Sequence, residues 1–175
     1  MECFVTRNIK HTCEYNAGGI NKILLIDIEH FDSYIFKDDS LFNVCYVEAV
    51  RVSNSKHFTL DTIDESIFEE TEQDSVFTQK LTTFIRGLDA QKTSDLLLAN
   101  NRRYLVIFTT TEGRSFTFGS DGGATLDFRQ GTNGVSGYTI ELTKQSVYPL
   151  FEFDILAPRE YTYRLHEIKF EKIFN

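Results

Sequence analysis

The sequence predicts a mainly β protein, an antiparallel sandwich or barrel with one flanking α-helix. Three observations lead there. The chain has 16 Phe and 8 Tyr among its 175 residues, and Ile, Val and Thr are frequent beside them, all residues that suit half-buried pleated surfaces. Residues 104–143 alternate apolar and polar positions between glycine-rich turns, which is a strand pattern. Only one segment, Leu88–Asn101, reads as a good helix. The length suits a single domain over 1–175, long enough to bury a core without staples. That domain carries an acidic loop at about 55–75 and a C-terminal extension at about 144–175.

The elements follow in order. Strands are expected at Ile20–Glu29, Ser33–Lys37 and Leu41–Asn54. In the long third strand Phe42, Val44, Tyr46, Glu48, Val50 and Val52 line one face, with Asn43, Cys45, Val47, Ala49 and Arg51 on the other. Phe58 and Leu60 begin a loop or short strand leading into the acidic segment. Ser75–Arg86 fits a helical stripe through Phe77, Leu81, Phe84 and Ile85, and equally a strand face through Phe77, Gln79, Leu81, Thr83 and Ile85. Thr82-Thr83 favours the strand, because β-branched side chains lose rotamer freedom in helices. Asp89 or Ser94 can cap the helix, and Leu96–Ala99 propagate it. Asn100-Asn101 before Arg102-Arg103 ends it.

An antiparallel meander is expected next. Its strands are Tyr104–Thr111, Ser115–Gly119, Ala124–Arg129 and Tyr138–Thr143. Gly113, Gly119, Gly122, Gly123, Gly131, Gly134 and Gly137 are its turn glycines, and Asn133-Gly134 is a hairpin signal. Glu160–Phe174 reads as a final strand pair or one bent strand, with a bulge or turn near His166-Glu167 where the apolar phase changes.

Charge narrows the function classes. Lys plus Arg is 18 and Asp plus Glu is 26, a net of −8. Residues 1–87 hold 8 basic and 15 acidic residues, so nearly all of the imbalance lies there. His57–Gln79 has no Lys or Arg but carries Asp61, Asp64, Glu65, Glu69, Glu70, Glu72 and Asp74. Gripping phosphates needs clustered positive charge, and the only adjacent basic pair is Arg102-Arg103, so sequence-specific nucleic-acid binding is not expected. The acidic segment is either a solvated loop or a surface that repels DNA or docks on a basic partner. No apolar run nears the ~20 residues of a membrane helix, and the start lacks a secretory pattern, so no membrane partner is expected.

No catalytic, metal or cofactor signature is legible. Glycine-Ser elbows, His-Glu-x-x-His and phosphate-binding glycine loops are missing. Gly119, Gly122 and Gly123 precede a strand rather than a helix, so they read as turns and not as a phosphate cradle. Cys3, Cys13 and Cys45 are widely spaced, which argues against zinc. Asp27, Glu29, His30 and Asp32 are the densest potential ligands, but strand alternation would split them between two faces. His11, His57 and His166 stand apart. The expectation is no enzyme and no cofactor.

Two parts of the chain resemble structural tail proteins of tailed bacteriophages, of the kind found in Bacteroides-type phages. One is Cys13 followed by Gly18-Gly19-Ile20 and the strand Ile23–Ile28. The other is Gly113, Phe116-Thr117-Phe118-Gly119, Gly122-Gly123, then Gly131 to Gly137 and Tyr138-Thr139-Ile140-Glu141-Leu142, preceded by Phe77 through the helix to Tyr104. Together they cover about two thirds of the chain. Cys3, the acidic stretch 61–74 and the tail 144–175 depart from the pattern.

The resemblance implies a tail-tube-like β-sandwich or barrel with a flanking helix. It implies a virion protein, assembled in the host bacterial cytoplasm, whose subunits form rings, usually hexameric. Such rings build a tail tube or head–tail neck conduit through which DNA passes, alongside neighbouring tail or neck proteins. Ring closure needs heterologous contacts, which exposed strand edges can supply. An acidic lumen would repel phosphates. Loop 53–75 and tail 144–175 are the expected contact segments, with Phe58, Phe68, Tyr148, Phe151 and Phe153 either at contacts or in the core. The competing class is a ligand- or carbohydrate-binding β-sandwich using acids and aromatics such as Asp121, Tyr161 and Tyr163, although the lack of Trp weakens sugar stacking.

Overall fold

Ile23–Ile26 and Leu105–Phe108 are unbroken apolar runs, the pattern of strands covered on both faces. In the computed structural model, which describes residues 19–36, 45–53, 56–61, 66–132, 134–153 and 167–168, these runs are the paired centre of the fold. β1 (Ile20–Asp27) lies antiparallel to β8 (Arg103–Thr110), with Leu24 opposite Ile107 and Ile26 opposite Leu105. One face carries Ile23, Leu25, Val106 and Phe108 into the larger core. The other carries Leu24, Ile26, Leu105 and Ile107 into a second core.

The larger core fills a curled sheet that forms a half-barrel. β5 (His57–Asp61) pairs with the free edge of β1. On the opposite edge of β8 stand β9 (Ser115–Phe118) and then β10 (Ala124–Gly131). β10 leads to β11 (Gly137–Ser146), β7 (Val76–Arg86) and finally β6 (Ile67–Gln73). The curl brings Phe68 of β6 back onto Phe108 and Phe118, with ring centroids 4.9 and 5.4 Å apart. α1 (Ala90–Asn100) packs Leu96 and Ala99 against this core.

The second core lies under a small sheet in which β4 (Ala49–Val52) pairs with β2 (Phe31–Ile35) and with β13 (Glu167–Ile168). Tyr34 reaches down from β2 to Thr117 Oγ1 at 3.0 Å and meets Phe31, Phe36 and Phe151 edge-on. Burial pushes its hydroxyl up to about 12. β12 (Phe151–Phe153) joins β9, and β3 (Tyr46–Val47) adds to β12 in parallel, the one parallel pairing among the described residues. The fold is thus mainly β, with a single α-helix among the described residues, as the sequence predicts.

Several boundaries change. The first strand stops at Asp27, and Ile28–His30 form a 3₁₀ turn whose first free N–H is taken by the Asp27 side chain. The expected long strand 41–54 is two short ones. Residues 41–44 and 54 lie outside the described set, Cys45 has φ +56°, and the chain bends at Glu48, whose N–H goes to Ile35 O. The bend shifts the side-chain phase, so Val47 is buried together with Val50 and Val52 instead of opposing them.

The meander is also corrected. β8–β9 and β10–β11 are hairpins, but β9 and β10 do not pair with each other. They follow one another along a single edge of β8, with Gly119–Gly123 looped out between them. Close packing fixes this loop. A Cβ on Gly119 would sit 2.7 Å from Tyr104 O, and one on Gly123 would sit 2.6 Å from Arg103 Cβ. Of the expected final strand pair at 160–174 only Glu167–Ile168 is described, as β13.

Candidate functional site

The acidic segment is largely not a loop. β5 and β6 occupy most of it, and the β6–β7 hairpin turns at Asp74-Ser75, both with positive φ. Glu is disfavoured in strand interiors but suits an edge strand, where charge discourages indiscriminate pairing. Asp61 ends β5; Asp64 and Glu65 lie outside the described residues.

The remaining four acids differ in what they do. Glu70 is a structural clamp: Oε2 accepts Gln79 Nε2 at 2.7 Å and the Leu150 N–H at 2.8 Å. Glu72 Oε1 accepts the Ser75 N–H at 2.8 Å and so closes the turn. Glu69 and Asp74 are exposed. Among the described residues the outer edge of β6 has no strand partner, and Ile67 stands 52% exposed beside it.

The turn glycines divide in the same way. Gly113, Gly122 and Gly134 take positive φ in open turns, as do Gly119 and Gly123 in the packed loop. Gly131 and Gly137 face each other at the paired ends of β10 and β11, and a Cβ on Gly137 would collide with Ile85 O. Asn133 lies outside the described residues.

One concavity of the structure was not legible in the sequence. A cleft of about 970 Å³ opens between α1, β5 and the end of β7. Its apolar surface includes Leu25, Phe58, Leu60, Ile85 and Leu96. Two tyrosines on its floor hold the helix. Tyr104 Oη donates to Ala99 O at 2.9 Å in the last turn, and Tyr138 Oη donates to Asp89 O at 2.9 Å in the first. Asp89 is the cap, its Oδ1 accepting the Lys92 N–H at 2.8 Å, and that bond chiefly lowers its carboxyl pKa.

Charged side chains rim the cleft: Lys56, Arg86, Lys92 and Arg102 against Asp27 and Asp95. Burial alone would raise the Asp27 carboxyl, but hydrogen bonds from Arg102 and the Glu29 N–H, together with the Arg102 charge, hold it below the ordinary value. Two of these cations are engaged on the chain itself, Arg102 with Asp27 and Lys92 with the cap residue Asp89.

The aromatics expected at contacts are mostly core. Phe58 packs edge-on to Tyr104 at 5.3 Å, Phe68 lies against Phe108, and Phe151 is 3% exposed; Tyr148 is 40% exposed. Asp121 is held by Lys144 and the Val147 N–H, away from the cleft. Tyr161 and Tyr163 lie outside the described residues. Asp27, Glu29, His30 and Asp32 form no ligand cluster, and no group of three potential metal ligands occurs among the described residues. No described helix is long and apolar enough to cross a membrane. Comparison with protein-family models, with curated proteins and with solved structures finds no match to the chain.

Proposed function

We propose that this chain is a self-assembling structural subunit of a tailed-phage virion, forming rings in the tail tube or the head–tail neck. The observation that supports it is the open sheet. The large sheet ends in three different strands, β3, β5 and β6, and among the described residues none of them has a strand partner on its outer side. Unlike edges on one subunit suit heterologous contacts, which close into rings when the rotation between subunits is right. The resemblance of the glycine-punctuated strands to tail proteins supplies the biological setting. An excess of acid, concentrated in the first half of the chain, suits a conduit that DNA must cross without sticking.

The test is light scattering on the purified protein over a wide concentration range. A discrete closed oligomer, hexameric in the simplest case, is the expected result. A mass that stays monomeric throughout overturns the reading.

A second reading, a small-ligand or carbohydrate-binding module, is favoured by the size and apolar floor of the α1–β5 cleft. It predicts that a sugar or apolar anion raises the melting temperature by mass action.

A further inference from the structure

We propose that the chain closes an internal amide cross-link between Lys144 Nζ and the side-chain carboxyl of Asp121, releasing one water. The bond forms within one subunit and does not depend on assembly.

Strand alternation puts Lys144 where an apolar side chain belongs. On β11 it shares a face with Tyr138, Ile140, Leu142 and Ser146, all of them buried. Its side chain is 13% exposed, and lysine is rarely so deeply buried unless paired. Across the sheet Lys144 stands opposite Gln79 of β7, and Gln79 stands opposite Glu70 of β6. Gln79 is fully buried. Its Nε2 donates to Glu70 Oε2 and Tyr148 O, while its Oε1 has no hydrogen-bond partner among the described residues.

Asp121 reaches Lys144 from the loop between β9 and β10. The packing of Gly119 and Gly123 onto Tyr104 and Arg103 holds that loop in place. Lys144 Nζ donates to Asp121 O at 2.6 Å and lies 3.6 Å from Asp121 Oδ1, too far for a hydrogen bond. The Val147 N–H donates to Oδ2 at 3.3 Å. Oδ1 is therefore a buried carboxylate oxygen that faces an amine and has no hydrogen bond among the described residues. As an ion pair this is poor, because the cost of burying two charges is offset only by good geometry and filled hydrogen bonds. As the starting point of a condensation it is well arranged, since rigid elements hold both reacting groups side by side.

The step balances without a co-reactant. The ammonium passes one proton to Oδ1. The amine nitrogen then attacks Cγ, and negative charge develops on Oδ2, where the Val147 N–H meets it. A second nitrogen proton moves to Oδ1, the Cγ–Oδ1 bond breaks and water leaves. Oδ2 remains as the amide carbonyl. The nitrogen keeps one proton, for which Gln79 Oε1 is the open acceptor on the neighbouring strand. The product is uncharged, so the burial cost of the ion pair disappears.

The test is the mass of the unaltered full chain, read in denaturant. It should fall short of the sequence mass by one water. Trypsin should then yield Ser115–Arg129 joined to Gln130–Arg159, because a linked Lys144 is no longer a cleavage site. Lys144→Arg and Asp121→Ala should each show the full mass of their own sequence and a lower melting temperature. A wild-type chain at full mass, cut after Lys144, overturns the proposal whatever the variants do. Asp121 precedes Gly122, and succinimide closure between those two residues also releases one water. A deficit that hydroxylamine removes, with trypsin still cutting after Lys144, assigns the loss to the succinimide and overturns the cross-link as well. If either variant fails to fold, the wild-type peptide map decides alone.

Discussion

Tyr138 Oη and Thr93 Oγ1 lie 2.6 Å apart, joining β11 to the first turn of the only helix among the described residues. The same tyrosine oxygen donates to Asp89 O and receives the Asp89 N–H at 3.3 Å. Tyr138 itself is 1% exposed, while its partners Asp89 and Thr93 lie nearer the surface. Removing the hydroxyl by Tyr138→Phe loses these part-buried bonds, a net cost of about 0.5–1.5 kcal/mol. Urea denaturation should show that loss. Hydrogen exchange in Ala90–Thr93 should rise more than in β1, because the helix start loses its anchor. A loss spread evenly over the chain would contradict this role.

Glycine substitutions should separate conformational cost from collision. Gly113 and Gly123 share a positive φ, but nothing lies within 4 Å of a Cβ on Gly113. Gly113→Ala should therefore cost about 1–2 kcal/mol, the left-handed penalty alone. Gly123→Ala adds an overpacking cost of about 1–3 kcal/mol against Arg103. Equal melting temperatures for the two variants would show that the Gly119–Gly123 loop yields freely.

Neighbouring glutamates on β6 should behave differently. Glu70→Ala breaks the bonds to Gln79 and Leu150 and should cost about 1 kcal/mol or more. Glu69→Ala should stay within about 0.5 kcal/mol, as exposed substitutions usually do. The comparison is made by thermal unfolding of each variant at one pH.

The Asp27–Arg102 pair at the cleft rim sets an acid limb. Because the folded carboxyl titrates below its ordinary value of 3.8, its contribution is fully present above that pH. It is lost as pH falls through the lower, folded value. Asp27→Asn should flatten the pH dependence of the urea midpoint below 3.8 and leave the slope at neutral pH unchanged. An unaltered acid limb in the variant would remove Asp27 from this role.

The sequence made the local elements legible where one residue type dominated the choice. Thr82-Thr83 marked β7 as a strand, Asp89 marked the helix start, and the glycine turns marked both hairpins of residues 104–143. Long-range arrangement was harder to read. Strand alternation through 104–143 fits a simple meander equally well, and only the packing of Gly119 and Gly123 onto Arg103 and Tyr104 puts β9 and β10 on one edge. The acids of 69–74 read as a solvated loop because glutamate is rare in strands; position at a sheet edge reverses that preference. The cleft had no sequence signal, since its walls come from β1, β5, β7, β8, β11 and α1, and its residues look like ordinary core and surface.

Negative-stain electron microscopy of the purified protein, taken across the concentration range in which its mass changes, tests self-assembly most directly. The account predicts closed rings, or tubes of stacked rings, with a lumen wide enough for duplex DNA; tubes would favour a tube subunit over a neck protein. Monodisperse single-subunit particles at every concentration would contradict it.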